Sequence, residues 1–159
     1  PPRSAIDPGD FRQLTSQAFV LGRRERGCYE MRLAGGFVSE LHGCDLRGAD
    51  ALSLWSERDR LRLQAALEEI RRAPGPLVVM AEALTEGPSL SLEVLFAPLR
   101  AAPGGMDRYL GLYQPLAMVS RLQGRPAPEL SVRALRRPGA ANLPAQPVRL
   151  AAIGGRRIA

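Results

Sequence analysis

Residues 77–113 read LVVMAEALTEGPSLSLEVLFAPLRAAPGGMDRYLGLY. Leu77-Val78-Val79-Met80-Ala81 is a continuous apolar run, which suits a strand covered on both faces. Leu90, Leu92, Val94 and Phe96 alternate with Ser91, Glu93 and Leu95, the period of a strand with one buried face. Tyr109-Leu110-Gly111-Leu112-Tyr113 supplies a third strand. Between them lie Glu86-Gly87-Pro88 and Pro103-Gly104-Gly105, residues that reverse a chain. Short turns join neighbouring strands antiparallel.

Upstream, Ser56 opens a long helix that Ala73-Pro74-Gly75 breaks. Its apolar stripe is Leu63, Ala66, Leu67 and Ile70, with Arg58, Arg62, Glu69 and Arg72 elsewhere. Short helical turns are expected over 44–56, around Leu46, Leu52, Leu54 and Trp55. In Cys28–Leu33 the residues Tyr29, Met31 and Leu33 alternate with polar ones, which predicts a half-buried strand. Ala34-Gly35-Gly36 reads as a turn and Phe37–His42 as the returning strand, ended by Gly43. Asp7 and Pro8 read as a helix start, with Ile6 and Phe11 spaced as a hydrophobic staple. Phe11, Leu14, Thr15, Ala18 and Phe19 then share one helical face, and Gly22 stops the helix. The expectation is an α+β fold: a five-stranded antiparallel sheet with helices on one face, preceded by an N-terminal amphipathic helix.

The charge is uneven. The chain of 159 residues carries a net +6, and its 22 basic residues are all arginine. Residues 1–116 balance at −1, whereas residues 117–159 hold 8 Arg against the single acid Glu129. That C-terminal part also holds five prolines and little periodicity, which predicts a partly ordered basic tail. Within it, Ser131–Leu135 reads as a short strand or helix and Val148–Ile153 as an added strand. A basic tail can attract nucleic acid, anionic lipid or an acidic protein patch, or simply be solvated. The lack of aromatic residues after Tyr113 argues against stacking on single strands. Cys28 and Cys44 form no CxxC pair, and no basic-then-apolar leader opens the chain, so a reducing cytoplasm is expected. The chain opens at Pro1 without Met, so residues upstream are expected. No apolar run approaches ~18 residues, the length a membrane-spanning helix needs.

Catalytic chemistry is scarce. His42 is the only histidine. On a strand, Ser39 points opposite Glu40 and His42, which forbids a triad. Glu68 and Glu69 are helix neighbours that point apart, so they form no proton-sharing dyad. No GxxxxGK[ST] phosphate loop occurs. A zinc site needs three or four ligands, and His42, Cys44 and Cys28 are the only soft candidates. Arg23-Arg24-Glu25-Arg26 and Arg71-Arg72 read as cations at helix ends, favoured by the helix dipole. No enzyme activity and no metal are expected.

The order of elements resembles the PAS fold, and particular stretches carry the likeness. Ala34–Gly43 resembles the first PAS hairpin running into its glycine, and Trp55-Ser56-Glu57-Arg58-Asp59-Arg60 the opening of the long PAS helix. Pro2–Pro8 and Tyr109–Leu116 are similar to a stand-alone alphaproteobacterial PAS family. The resemblance covers residues 1 to about 128. It implies a division into an N-terminal helix over 1–25, a PAS domain over 26–118 and a basic tail over 119–159. It also implies a cytoplasmic sensory or regulatory protein that works by binding a small molecule or a protein partner. Tyr29, Met31, His42, Trp55 and Tyr113 are the candidate pocket walls. Phe11, Leu14, Ala18 and Phe19 are the candidate homodimer surface. Two other readings stay open: a nucleic-acid-associated regulator working through the Arg-rich tail, and a ligand-free PAS scaffold. Flavin photosensors of the PAS class need an Asn-Cys-Arg setting that Cys44 lacks, and oxygen-sensing members need a His on the long helix, which residues 57–72 lack. Neither flavin nor haem is expected.

Overall fold

The computed structural model describes residues 14–99 and 107–139. Ala18–Glu25 (β1) and Cys28–Ala34 (β2) form a hairpin, followed by helix α1, Gly36–His42. A 3₁₀ turn at Ala51–Leu54 leads into the long helix α2, Glu57–Arg72. Then come β3 (Leu77–Leu84), β4 (Leu90–Leu99) and β5 (Arg108–Pro115). A second 3₁₀ turn, Val119–Leu122, precedes β6, Glu129–Arg136. All pairings are antiparallel, in one six-stranded sheet of order β2-β1-β5-β4-β3-β6. The antiparallel α+β architecture agrees with the reading of residues 77–113, and β6 raises the strand count from five to six.

Three expectations are corrected. First, the helix predicted to run to Gly22 does not cover Ala18–Glu25, which is β1. Phe19 and Leu21 face the core while Ala18 and Val20 face the other side of the sheet, so both faces are apolar and the alternation is hidden. The part of that prediction on residues 7–13 lies outside the described residues, as do the turn at 103–105 and the strand at 148–153. Second, Phe37–His42 is helix α1 rather than a returning strand. Val38, Leu41 and His42 are its buried residues, a three-and-four spacing that so short a segment disguises as alternation. Gly35 allows the chain to turn there because its Cα lies against the Thr15 and Ser16 carbonyls, where a Cβ has no room. Gly43, at φ 71°, ends the helix and donates its N–H to Ser39 and Glu40. Third, Ser56 precedes α2 as expected, but its hydroxyl donates to Asp59 Oδ2 at 2.5 Å instead of capping a backbone N–H.

The core lies between the sheet and the helices. Leu63, Leu67 and Ile70 of α2 are at most 1% exposed and face Leu77, Val79, Leu92 and Val94, also at most 1% exposed. Burial of side chains this size is worth about 1.5–3 kcal/mol each. Gly111 leaves the space that the Phe19 ring fills across the β1–β5 pair.

β6 straps α2 at both ends. Near its start, Asp59 Oδ2 accepts the Val132 backbone N–H (2.8 Å) and the Ser131 hydroxyl (3.3 Å), and the Ser56 N–H donates to the Leu130 carbonyl (2.8 Å). Just past its end, Arg137 donates to Glu69 (2.5 Å) and to the Ala73 carbonyl (2.7 Å). Burial raises the Asp59 pKa, but its bonds from Ser56, Val132 and Ser131 outweigh that and keep the carboxylate charged. Asp59→Ala leaves the Val132 N–H and two hydroxyls without their buried acceptor, so it should lower the unfolding free energy in urea by about 2–3 kcal/mol. A loss below about 0.5 kcal/mol, the range of neutral surface substitutions, would show that the strap is not anchored there.

Candidate functional site

The helical face of the sheet carries two side-chain clusters. Tyr109 and Tyr113 lie four residues apart on β5, roughly 13 Å along the strand, and each anchors one cluster.

Around Tyr113, the hydroxyl shares a 3.1 Å hydrogen bond with His42 Nε2. The Phe19 ring meets Phe96 and Tyr113 edge-on at centroid distances of 5.5 and 5.4 Å. Burial pushes the His42 pKa down to about 4, with a small opposing effect from the Ala127 backbone. Its Nδ1 makes no hydrogen bond of standard geometry. Burial also pushes the Tyr113 hydroxyl well above its usual range.

Around Tyr109 the charge is concentrated. Tyr29 and Tyr109 meet edge-on at 5.7 Å, and the Tyr109 hydroxyl donates to the Leu67 carbonyl at 3.2 Å. Glu68, on α2, is 5% exposed. Its Oε1 accepts from Arg23 Nε and from the Tyr29 hydroxyl, each at 2.7 Å. Its Oε2 accepts from Arg71 Nε at 3.1 Å and from a second Arg23 nitrogen at 3.5 Å. Burial raises the Glu68 pKa, but these donors more than reverse it and hold the carboxyl at about 2. Burial raises Tyr29, with its bond to Glu68 adding to the effect, and pushes Tyr109 up to about 12.

The sequence candidates separate accordingly. Tyr29 and Met31 stand on β2, an edge strand rather than a central one. His42 stands on α1, so the alternation that set it opposite Ser39 does not apply. The two are three apart on a helix, and the histidine Nε2 is bonded to Tyr113. Trp55 is 2% exposed in the core, and its backbone bridges to Leu130. Surface grooves of about 770 and 550 Å³ open elsewhere, the first beside Leu84, Glu86, Arg125 and Pro126, the second beside Val78, Glu93 and Arg136. Neither is lined by any of the five candidates. Of the dimer candidates, Phe11 lies outside the described residues and Leu14 begins a turn. Phe19 is buried on the helical face whereas Ala18 faces the opposite side, so they cannot share one surface.

That opposite face holds what sequence reasoning missed. Leu33, Val20, Leu110 and Ala97 pair in one row across β2, β1, β5 and β4. Ala18, Leu112, Leu95 and Val78 pair in the next row, across β1, β5, β4 and β3. Leu33 is 49% exposed and the others are half-buried. Ion pairs border the stripe: Arg24 and Arg32 with Glu30 at one side, Arg136 with Glu93 and Arg133 with Glu82 at the other. Cys44 is solvent-exposed. Among the described residues no cluster of His, Cys, Asp or Glu could hold a metal, and no helix is long and apolar enough to cross a membrane.

Comparison with known proteins agrees with this geometry. The family model of the PAS domain matches residues 1–114. The chain belongs to the PAS domain family, a sensory and regulatory fold that binds ligands or partners. No curated protein matches it. Among solved structures it is similar to a light-oxygen-voltage domain studied with a flavin analogue (15% identity, TM-score 0.53, covering 69% of this chain and 83% of that one). It is similar to the LOV protein of Rhodobacter sphaeroides (13%, TM-score 0.52, 74% of each chain). It also matches the PAS domain of the fruit-fly ELK potassium channel (11%, TM-score 0.51, 69% and 94%). At these identities the likeness is one of fold.

Buried His42, Glu68 and Asp59 set the acid response, the histidine at the upper end and the two carboxylates at the lower. His42 titrates at about 4 in the fold against its ordinary 6.5, so the unfolded chain takes up its proton first as pH falls. Its contribution is therefore intact above 6.5 and fully lost below about 4, a loss of about 3 kcal/mol at most. Glu68, at about 2 against 4.5, contributes fully above 4.5 and loses that contribution as pH falls toward 2. Urea unfolding across this range should show stability declining from pH 6.5 to 4. His42→Gln should flatten that decline while leaving the steeper loss below 4.5. An unchanged profile in the variant would contradict the buried neutral histidine.

Proposed function

We propose that this chain is a non-enzymatic PAS interaction module whose interior is filled by its own side chains and which signals through contacts made by the outer face of its sheet. The observation that carries the reading is the pair of apolar cross-strand rows ending at Leu33, Ala97, Ala18 and Val78, bordered by ion pairs that are already satisfied. Such a stripe fits a second copy of itself, since the neutralised borders set no like charges against each other.

The interior supports binding at the surface over binding inside. Tyr29, Met31, His42, Trp55 and Tyr113 are each at most 5% exposed, and both tyrosine hydroxyls are bonded to protein groups. A flavin between α2 and the sheet would have to displace Tyr29, Tyr109 and their hydrogen bonds, and Cys44 is solvent-exposed. This packing supports an interior filled by the chain's own side chains over one that holds flavin. Against the nucleic-acid reading, Arg133, Arg136 and Arg137 spend their charge on Glu82, Glu93 and Glu69. Signalling then follows from a shift between free and docked populations rather than from turnover.

Sedimentation velocity tests the reading. The unaltered chain should sediment as a dimer, and Leu110→Glu with Leu112→Glu should sediment as a monomer with the same far-ultraviolet circular dichroism. A monomer for the unaltered chain, or a dimer that survives both substitutions, would refute the outer face as the contact.

A further inference from the structure

The cluster around Glu68 sets more positive charge against one carboxylate than charge balance requires. One guanidinium neutralises one carboxylate. Here two guanidinium groups, from Arg23 and Arg71, and the hydroxyl of Tyr29 converge on a single carboxylate from three different elements. Arg23 addresses both oxygens, the fork-to-fork arrangement by which arginine recognises planar carboxylates. The Tyr29 and Glu68 side chains are almost entirely buried and Arg23 is 17% exposed, so these groups meet in a low-dielectric setting, while Arg71, 31% exposed, closes the cluster from the solvent side. Glu68 reaches this place from α2, the element that covers the sheet.

We infer that Arg23, Arg71 and Tyr29 form a receptor for a small carboxylate, and that Glu68 is its tethered ligand. The tether explains the closed state. A carboxylate fixed on α2 has an effective concentration far above that of any free acid, so the site is satisfied from within. Removing the tether leaves two cations and a buried hydroxyl without an acceptor. The atoms lost in Glu68→Ala are Cγ, Cδ and the two oxygens, which are the heavy atoms of acetate. Acetate therefore matches the vacated volume and restores the planar acceptor, whereas phosphate is tetrahedral and larger. The inference concerns the interior and does not depend on the outer-face contact.

Thermal unfolding of Glu68→Ala in sodium acetate and in sodium chloride of equal ionic strength tests it. Acetate should raise the variant's melting temperature saturably, by several degrees beyond chloride, through ordinary ligand linkage. The unaltered chain in the same solutions corrects for the general effect of acetate on proteins and should show no such excess. Adding Tyr29→Phe to the variant should weaken the response. If Glu68→Ala does not fold in chloride, the recovery of native circular dichroism on dilution from urea reads the same difference, higher in acetate than in chloride. Equal behaviour in acetate and chloride would overturn the receptor. Equal protection by inorganic phosphate would overturn its assignment to planar carboxylates.

Discussion

The seating of α2 directly on the sheet is the constraint from which the rest follows. It is held by apolar packing along the helix and by two buried carboxylates, Asp59 against β6 and Glu68 against β1 and β2. Leu63, Leu67 and Ile70 bring the helix down onto Val79, Leu92 and Val94. Glu68 fixes its rotation and height, because its Oε1 must meet Arg23 on β1 and Tyr29 on β2 together. A buried charge is tolerated only when its donors are in place. A helix standing farther off the sheet would separate Glu68 from Arg23 and Tyr29. Under this helix Tyr29, Tyr109 and Tyr113 are all buried.

On the proposed reading, a filled interior moves recognition to the surface. The helical side is closed further by the chain after β5, which runs past α1, where the Ala127 N–H donates to the Leu41 carbonyl at 2.6 Å, and then along α2 as β6. That strand also covers the β3 edge, leaving β2 and β6 as the sheet's edges. The broad apolar surface that remains is the outer face of the sheet, whose rows run across four strands each. The fold neighbours include light-oxygen-voltage proteins and an ion-channel domain, so one backbone serves different uses. What distinguishes this chain is the identity of the side chains on its two faces.

Much of the scaffold was legible in the sequence. The α2 stripe and the β3–β5 alternation are long, and Ala73-Pro74-Gly75 and Glu86-Gly87-Pro88 punctuate them, so period and breakers agree. The N-terminal part was not. Val20 and Leu21 make β1 apolar on both faces, which erases the period of two. Phe37–His42 is too short to separate helix from strand by spacing. Ser131–Leu135 was ambiguous because β6 depends on partners in β3 and on Asp59, 73 positions from Val132, which no local pattern reports. The carboxylate cluster was hidden for the same reason. Glu68 and Glu69 do point apart, but Arg23 lies 45 positions from Glu68 and Tyr29 lies 39 positions from it. Arg23 reads as part of a basic helix end in the sequence because Gly22 beside it has the look of a helix stop. The outer rows were likewise invisible until the registers set Val20 beside Leu110 and Leu112 beside Leu95.

Native mass spectrometry of the chain purified from its own host tests the filled interior most directly. The account predicts a mass equal to that of the polypeptide or a whole multiple of it. A retained small molecule that leaves only when the protein unfolds would contradict it.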